Sequence, residues 1–487
     1  MTIQDLQPQN VWRQFHALTQ IPRPSGHTAK VAEFLVEFGK KNGAEAFIDD
    51  AGNVVMRVAA TPGYENRETA ILQAHMDMVP QKTKDSTHDF EKDAIQTWVD
   101  GDWLRAKDTT LGADDGLGVA AAMAIIEDKS LEHGPLEVLI TRDEETGMFG
   151  AFGLASDTLK GKYLLNLDSE TEGEITIGCA GGMDVVCSME YQEMDVNPEN
   201  MAAYRIAVKG LLGGHSGLEI NQGRANANKL MARVLFATVN TGLAHVCSWH
   251  GGNMRNAIPR DGDAVVLVPK MKEQEFKEMI EKCGQTFVKE YCDIEKDGIQ
   301  LTAVPCDTPL KAIPEDIQEN LINAVLAAHD GALRNIPTIP EIVETSSNLA
   351  IINIADGKAS IAILARSSQD SMKLYLCNGL KACFSMAGMK VQFEGGYSGW
   401  QPNTKSPLVD SMSAVYEKMF GKRPEILVVH AGLECGIIGP KYPDMDMASF
   451  GPTLLSPHTP NERCYIPSVE KFYNYVVELI KNIPEKA

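Results

Sequence analysis

A histidine and an aspartate lie two residues apart at the end of an apolar run, in His75-Met76-Asp77. Alternate side chains of an extended segment point to the same side, so His75 and Asp77 would face one site. A carboxylate that fixes the tautomer of an imidazole is typical of a histidine that binds a metal. The alternative is that the pair only caps the end of a strand.

Two adjacent aspartates, Asp114 and Asp115, stand before an alanine-rich run and are flanked by small residues. One of them could bridge two cations, whose charge would offset the cost of holding like charges together. Equally, the pair could cap the N-terminus of a helix, where the helix dipole favours negative charge. Both interpretations stay open on the residues alone.

Three further segments carry candidates of the same chemical type. Glu144 and Glu145 follow an apolar run, and on an extended segment neighbouring side chains point in different directions. One glutamate would then bind metal while the other stays free as a general base; the alternative is a solvated acidic loop. Asp168 ends another apolar run, where aspartate is common as a turn residue. His458 stands in a proline-flanked loop, where a structural role is common.

These candidates need elements that bring them to one place, and the apolar pattern predicts such elements. Short apolar runs predict strands at 70–75, 136–141 and 162–167, with an alanine-rich helix at 116–128. Strands that alternate with helices predict an α/β layer, a mostly parallel sheet with helices on both faces. In open sheets of this kind, ligands gather beyond the carboxyl ends of the strands, where most candidate residues stand.

The pattern changes after residue 182 and changes back after residue 391. In between, Tyr204, Ile206 and Val208 alternate with other residues, as in a strand with one covered face. The chain of 487 residues also exceeds what one hydrophobic core usually supports. We therefore expect a discontinuous α/β domain at 1–183 and 391–487, with an inserted α+β domain at 184–390.

The composition excludes several classes of function. The chain has 45 basic and 66 acidic residues, and its formal net charge of −21 disfavours electrostatic binding to nucleic acid or to an anionic membrane. No apolar run approaches the roughly 20 residues that a membrane span needs. The 10 cysteines form no CxxC pair, so we expect neither a disulfide framework nor a cysteine-rich zinc site. This use of cysteine predicts a reduced, cytoplasmic compartment.

Together, and in this order, the motifs resemble those of the co-catalytic di-zinc peptidases. That family includes glutamate carboxypeptidases, carnosinases, tripeptidases and succinyl-diaminopimelate desuccinylase. The shared motifs are HMDMVP at 75–80, GADDG at 112–116, DEETG at 143–147, NLD at 166–168 and SPHTPNE at 456–462. Three other segments are similar to the branch of bacterial Xaa-His dipeptidases, namely GGHSG at 213–217, GGNMRNAIP at 251–259 and HAGLECG at 430–436. Many members carry lysine after the paired aspartates, where this chain has Gly116.

The resemblance implies two zinc ions per chain, with cobalt or manganese as substitutes. The residues that would hold the first zinc are His75, Asp114 and Asp168, and those that would hold the second are Asp114, Glu145 and His458. Asp77 would orient His75. Glu144 would be the general base for a water shared by both metals. Family members often place a cis peptide bond after the bridging aspartate, and we expect one between Asp114 and Asp115.

For the inserted domain, the resemblance implies substrate-binding residues and a dimer interface. His215 would stabilise the oxyanion of the reaction, within its subunit or across a homodimer. The alternative is that its glycine-rich segment is only a turn. Arg366 would hold the terminal carboxylate of the substrate, because its fork of donors matches a carboxylate. Asn253 and Gly432 are further candidates for substrate binding.

We therefore expect a metal-dependent hydrolase of unblocked dipeptides, including Xaa-His peptides such as β-Ala-His. The alternatives within the family are a tripeptidase and an N-acyl-amino-acid deacylase or desuccinylase. A non-catalytic scaffold is disfavoured, because every ligand position and the free base carry suitable residue types. A dinuclear phosphoesterase is disfavoured, because the five motifs offer little positive charge beyond Arg142.

Overall fold

The computed structural model describes residues 2–296 and 298–486, and its elements are numbered along the chain. The strands are β1 (Glu45–Ile48), β2 (Val54–Val58), β3 (Ala70–His75), β4 (Thr97–Asp100), β5 (Trp103–Ala106), β6 (Leu136–Thr141), β7 (Tyr163–Asn166), β8 (Glu174–Cys179), β9 (Gly181–Glu190), β10 (Met194–Asp195), β11 (Met201–Lys209), β12 (His245–Gly251), β13 (Gly262–Pro269), β14 (Gln300–Pro305), β15 (Lys311–Ala312), β16 (Gly331–Ile336), β17 (Ile339–Ala355), β18 (Lys358–Ser367), β19 (Lys390–Tyr397), β20 (Glu425–Val429), β21 (Asp446–Ser449), β22 (Leu454–Leu455) and β23 (Arg463–Tyr465). The helices are α1 (Gln9–Thr19), α2 (Ala29–Lys41), α3 (Ala113–Glu127), α4 (Glu144–Gly147), α5 (Phe149–Gly153), α6 (Ala227–Val239), α7 (Glu273–Tyr291), α8 (Glu315–Ala327), α9 (Asp370–Met386), α10 (Pro407–Phe420), α11 (Cys435–Ile438) and α12 (Ile466–Lys481).

The chain divides into two compact units. The first unit contains Met1–Gly178, Trp400–Val428 and Leu433–Ala487, and the second contains Cys179–Gly399 and Val429–Gly432. The N-terminal and C-terminal parts of the chain therefore fold together in the first unit. Within the part of the chain that is described, no helix has the length and apolar character needed to cross a membrane.

An eight-stranded sheet forms the centre of the first unit, in the order β1-β2-β6-β3-β7-β21-β8-β20. Its middle strands β6, β3, β7 and β21 are parallel, as expected, and antiparallel pairs flank them, so the whole sheet is mixed. The predicted strands Ala70–His75 and Leu136–Thr141 are confirmed with the same bounds. Both are buried along their whole length, which is typical of parallel strands covered on both faces.

The parallel strands end side by side at one edge of this sheet. His75 pairs in register with Thr141, and β7 runs beside β3 up to Asn166. The segments that leave the sheet here carry the motifs at 75–80, 143–147 and 166–168. The topology thus brings three of the sequence motifs to the same edge.

The alanine-rich helix α3 is buried on nearly all sides and packs against α1 and β3. It begins at Ala113, three residues before the predicted start. The backbone angles of Asp114 and Asp115 are not helical, so the first turn is irregular. Gly112 precedes it in the left-handed region, with a φ of 69°, which glycine adopts without strain. The paired aspartates therefore lie at an irregular helix start and not in a regular turn.

The second unit is built on a nine-stranded antiparallel sheet, in the order β14-β11-β13-β12-β17-β18-β9-β19 with β16 paired to β17. Helices α6, α7 and α9 pack against this sheet, and α8 packs against α6 and α9. A continuous apolar core fills the space between the sheet and the helices. This is the α+β architecture expected for the inserted segment.

The apolar pattern does not reveal β17, which is the longest described strand. Its buried stretch includes polar residues, among them Ser347 and Asn348. These side chains bond inside the unit: Ser347 Oγ donates to the carbonyl of His329 at 2.8 Å, and Asn348 Nδ2 donates to the carbonyl of Ala257 at 2.8 Å. Buried polar groups with such partners cost little, so a polar strand is tolerated inside the sheet.

Candidate metal centre

His75 is the last residue of β3, and its ring is held by the main chain and the carboxylate of Asp77. Its Nδ1 lies 3.2 Å from the Asp77 carbonyl oxygen and 3.5 Å from Asp77 Oδ1. Both of these atoms accept, so Nδ1 donates to them and Nε2 is the nitrogen that faces the other way. There, Nε2 lies 3.1 Å from Asp114 Oδ1 and 3.4 Å from Asp168 Oδ1. This is the tautomer and orientation that a metal-binding histidine needs.

Asp114 reaches two histidines with its two carboxylate oxygens. Oδ1 faces His75, as described, and Oδ2 lies 3.0 Å from Nε2 of His458. The expected cis peptide bond between Asp114 and Asp115 is confirmed. A carboxylate with its two oxygens directed at different imidazoles has the arrangement of a bridge between two cations.

Asp115 takes the other of the two functions that the sequence left open. Its Oδ1 accepts from the amide of Gly118 at 3.1 Å, inside the first turn of α3, and its Oδ2 accepts from the amide of His75 at 3.3 Å. The two aspartates therefore have different roles. Asp115 stabilises the helix start and the end of β3, and Asp114 faces the histidines.

Glu144 and Glu145 lie on a short helical turn, so the expectation of an extended segment was wrong. The turn forms because the Asp77 carboxylate accepts from both amides, at 3.0 Å for Glu144 and 3.4 Å for Glu145, as an anion at a helix start does. Neighbouring side chains on a helix still point apart. Glu145 Oε2 lies 3.0 Å from Nε2 of His458, while its Oε1 is buried without a hydrogen-bond partner in the described chain.

Six of the predicted site residues come together in the first unit. Atoms of His75, Asp114 and Asp168 lie within 4.8 Å of one another, and so do those of Asp114, Glu145 and His458. A third group at the same spacing joins Glu144 to His75 and Glu145. Imidazole and carboxylate are ligands that suit zinc. The buried, unpartnered oxygen of Glu145 and this donor set fit a pair of metal ions.

Burial and mutual charge shift the pKa values of these groups strongly. Burial raises the pKa of Asp168 to about 6, although the His75 imidazole favours its charged form. Partial burial opposes the charging of His458, but hydrogen bonds to Asp114 and Glu145 outweigh it and raise its pKa to about 11. Burial also raises the pKa of Glu144 well above its ordinary value. The carboxylates therefore hold positive charge on the imidazoles, which shows that the cluster favours cations.

The analysis of the sequence missed three buried ionisable residues around this cluster. Glu462 accepts from backbone amides just before Asp114, and Arg23 donates to carbonyls at the end of β3 and before α3. Glu434 Oε2 accepts from Gln73 Nε2 at 2.7 Å and from Thr141 Oγ1 at 2.6 Å. Glu434 and Glu462 both lie inside motifs quoted for the resemblance, and Arg23 lies between two prolines. Those positions in the sequence could have identified the three residues as candidates.

His215 lies in the second unit, in a loop that pairs with the segment after β12. The amide of Ser216 donates to the Asn256 carbonyl at 2.8 Å, and His215 forms a bridge with Ala257. The ring Nδ1 accepts from the amides of Gly217 at 3.2 Å and Leu218 at 3.1 Å, so the ring proton is on Nε2. Burial, with the charge of Arg366, lowers the pKa of His215 to about 4. The loop therefore presents a neutral N–H donor.

Arg366 lies on β18 and is buried, with its guanidinium among hydroxyl groups. It donates to Tyr397 Oη at 3.3 Å and to Ser216 Oγ at 3.5 Å. His430 belongs to the same unit, where its Nε2 lies 2.7 Å from Ser346 Oγ. Burial, and then the charge of Arg366, lowers the pKa of His430 to about 3. The group offers one fixed positive charge and neutral donors, which suit an anion.

The positions of Asn253 and Gly432 say less about their part in substrate binding. Asn253 is exposed on the loop after β12, and Gly432 is half-buried after β20. Gly217 comes so close to the segment of Gly432 that an added Cβ would lie 2.0 Å from the carbonyl oxygen of His430. The segments at 213–217 and 430–432 therefore meet within the second unit, while Asn253 remains a candidate on its sequence motif.

Comparison with known proteins gives similar sequences and folds over nearly the whole chain. A profile of Peptidase family M20/M25/M40 matches residues 71–482. The chain is 40% identical over 485 residues to the cytosol non-specific dipeptidase of Escherichia coli (strain K12), which covers 99% of both chains. It matches the crystal structure of aminoacylhistidine dipeptidase from Vibrio alginolyticus with a TM-score of 0.91 and 40% identity, over 100% of this chain and 99% of that one. The aminopeptidase PepT of Bacillus cereus shares the fold, with a TM-score of 0.56 and 17% identity over 98% of this chain and 99% of that one.

Proposed function

The chain belongs to Peptidase family M20/M25/M40, and on that premise we propose that it is a two-zinc dipeptidase that hydrolyses unblocked dipeptides, Xaa-His peptides among them. The observation that carries the proposal is the position of Asp114, between His75 and His458. Two relatives with 40% identity support the substrate class, since one is named a non-specific dipeptidase and the other an aminoacylhistidine dipeptidase.

The residues assigned to the two metals are those that the geometry gathers. One ion would be held by His75, Asp114 and Asp168, and the other by Asp114, Glu145 and His458. Metal ions bound there supply the Lewis acidity that activates water and polarises the scissile carbonyl. Zinc is the ion favoured by this mixture of imidazole and carboxylate, and cobalt or manganese would substitute.

The proton transfers are assigned to Glu144, which has no metal role in this scheme. Glu144 takes a proton from the attacking water and hands it to the leaving amine, a role worth about 10²–10⁴-fold in rate. Asp77 keeps Glu144 in place, because its carboxylate accepts from the Glu144 amide while it also orients His75. One buried carboxylate thus fixes both a ligand and the base.

Substrate contacts are assigned to the second unit. The neutral Nε2–H of His215 stabilises the oxyanion, in its own subunit or in the partner of a homodimer. Arg366 binds the carboxylate end of the dipeptide with its planar fork of donors. Asn253 and Gly432 contribute to the same substrate site. A cytoplasmic location fits the name of the Escherichia coli relative.

The proposal is tested by a small substrate panel with metal analysis on the same sample. The panel is Ala-His, β-Ala-His, Gly-Gly-Gly and an N-acetylated amino acid. We expect two zinc ions per chain and cleavage of the free dipeptides only, with activity lost on chelation and restored by zinc. Activity confined to the tripeptide or the blocked amino acid would overturn the substrate class. Absence of bound metal and of turnover after zinc addition would overturn the enzyme assignment.

A further inference from the structure

One buried carboxylate accepts hydrogen bonds from the backbone amides of the loop from Leu111 to Asp114. Glu462 Oε2 accepts from the amides of Leu111 at 2.7 Å and Gly112 at 3.1 Å, and Oε1 accepts from the amide of Ala113 at 2.8 Å. The amide of Asp114 lies 3.5 Å from the same Oε1. Glu462 is 2% exposed, so this contact is made away from water.

Glu462 follows His458 by four residues in the same loop. The carboxylate therefore ties the segment that carries His458 to the segment that carries Asp114. Charge-assisted hydrogen bonds to several amides are among the stronger contacts that a side chain makes with the backbone. The distance between Asp114 Oδ2 and His458 Nε2, 3.0 Å, depends on how these two segments are joined.

A buried guanidinium donates a hydrogen bond to a backbone carbonyl of the same loop. Arg23 Nη1 donates to the carbonyls of Met76 and Asp77, both at 3.0 Å, and Nη2 donates to the carbonyl of Gly112 at 2.5 Å. Arg23 is 2% exposed. It therefore ties the segment after His75 to the loop before Asp114. The contact requires a planar fork, which lysine does not provide.

The glycines around Asp114 leave room for this guanidinium. A Cβ added at Gly112 would lie 2.8 Å from Arg23 Nη2, and one added at Gly116 would lie 2.5 Å from it. Real Cβ atoms avoid such distances, so a side chain at either position would displace Arg23. The small residues of the GADDG motif are thus explained by the approach of a residue far away in the sequence.

We propose that Arg23 and Glu462 are positioning residues that hold Asp114 between His75 and His458, and that they thereby set the affinity of the centre for metal. Neither residue would contact metal or substrate. The inference rests on the metal centre of the proposed function. Residues that orient metal ligands typically account for about 10–100-fold in metal affinity.

The first unit supplies a matched control pair. Glu137 is equally buried and accepts from the amides of Lys160 at 2.7 Å and Gly161 at 2.8 Å, and Arg57 pairs with it at 3.2 Å. This pair binds the loop before β7, at the opposite end of the parallel strands from the candidate metal centre. Its loss should cost stability in the same way, without moving any residue assigned to the metals.

The test measures zinc affinity by chelator competition on the metal-free, full-length protein, without substrate. We expect Glu462→Gln and Arg23→Lys to weaken zinc binding by about 10–100-fold. Glu137→Gln and Arg57→Lys should lower the melting temperature but leave zinc affinity within about threefold of the wild type. Equal affinity in all five proteins would overturn the proposal, and so would equal weakening in the control variants.

Two further measurements keep the outcome interpretable. If Arg23→Lys does not fold, Gly116→Ala places a Cβ 2.5 Å from Arg23 Nη2 and displaces the guanidinium while keeping its charge. This variant should weaken zinc binding in the same direction, and unchanged affinity there would count against the proposal. If the wild type itself binds no zinc, the proposed function fails and the inference falls with it. If the wild type binds zinc and the variants match it, only the positioning role of Arg23 and Glu462 is wrong.

Discussion

The candidate metal centre of the first unit and the histidine–arginine group of the second unit shift the pKa of histidine in opposite directions. Carboxylates raise the pKa of His458 to about 11 against partial burial, whereas burial and Arg366 lower the pKa of His215 to about 4. An imidazole takes its character from its neighbours. The cluster of the first unit therefore favours positive charge. The group of the second unit, with neutral donors and one cation, favours an anion.

This contrast matches what peptide hydrolysis requires. Activating a water needs cations and a base, which the cluster around Asp114 and Glu144 is equipped to hold. Stabilising an oxyanion and a terminal carboxylate needs neutral or cationic donors, which are the proposed roles of His215 and Arg366. Variants of the groups that act on the reacting atoms should therefore lower kcat, whereas a variant of the group that binds the terminal carboxylate should raise KM.

The largest effect is expected from Glu144→Gln. The substitution keeps the shape and removes the base, so kcat should fall by about 10²–10⁴-fold. Bound metal should remain at the level of the wild type, because Glu144 holds no metal in the proposed scheme. Steady-state kinetics and metal analysis of one sample check this, and near-normal turnover would refute the assignment of the base.

His215→Ala should lower kcat by about 10²–10³-fold with little change in KM, because an oxyanion donor acts mainly in the transition state. Metal content and circular dichroism should match the wild type. His250→Ala serves as the control, since His250 lies in the same unit and bonds to Asn353. Equal kinetics for the two variants would remove His215 from the mechanism.

Arg366→Lys should act mainly on KM, raising it about tenfold for free dipeptides, because a single ammonium replaces the bidentate fork. The wild type should discriminate strongly between a dipeptide and its C-terminal amide. The variant should discriminate less, since the contact with the carboxylate is weakened. The ratio of kcat/KM for the two substrates measures this, and an unchanged ratio would exclude a contact between Arg366 and the terminal carboxylate.

The smallest effect concerns stability and not turnover. Burial raises the pKa of Glu434 to about 8, from an ordinary value of 4.5, although Thr141 donates to the carboxylate. Between these values the folded chain holds a proton that the unfolded chain has lost, so its contribution to stability falls as pH rises toward 8. Glu434→Gln removes this dependence. In metal-free protein, the free energy of unfolding of the variant relative to that of the wild type should therefore increase from pH 5 to pH 8, by on the order of a few kcal/mol at most. Denaturant unfolding at the two pH values checks this, and a difference that does not change with pH would contradict it.

Pattern and motif predicted most of the layer that carries the metal centre. Apolar runs located β3 and β6 to the residue, because strands buried on both faces are mainly apolar. The motifs also contain the six residues that form the cluster, Asp114 among them. The strands follow from a few adjacent residues, whereas the site residues followed from the resemblance of the motifs to a known family.

What could not be predicted depends on partners distant in sequence. The turn at Glu144 is helical because Asp77, 67 residues earlier, accepts from its amide. Glu462 finds its amide partners about 350 residues away. The polar strand β17 is stable because its side chains bond within the second unit. Composition and periodicity carry no information about such pairings.

Arg23 and Glu462 bind the same loop but lie far apart in the sequence, which has a consequence for biosynthesis. Every residue of the centre up to Asp168 leaves the ribosome before the second unit, but His458 and Glu462 emerge only after it. At roughly 5–20 residues per second, the segment of Asp114 is exposed for tens of seconds before His458 and Glu462 are made. A nascent chain therefore cannot complete the proposed site until the segment of His458 and Glu462 has been made.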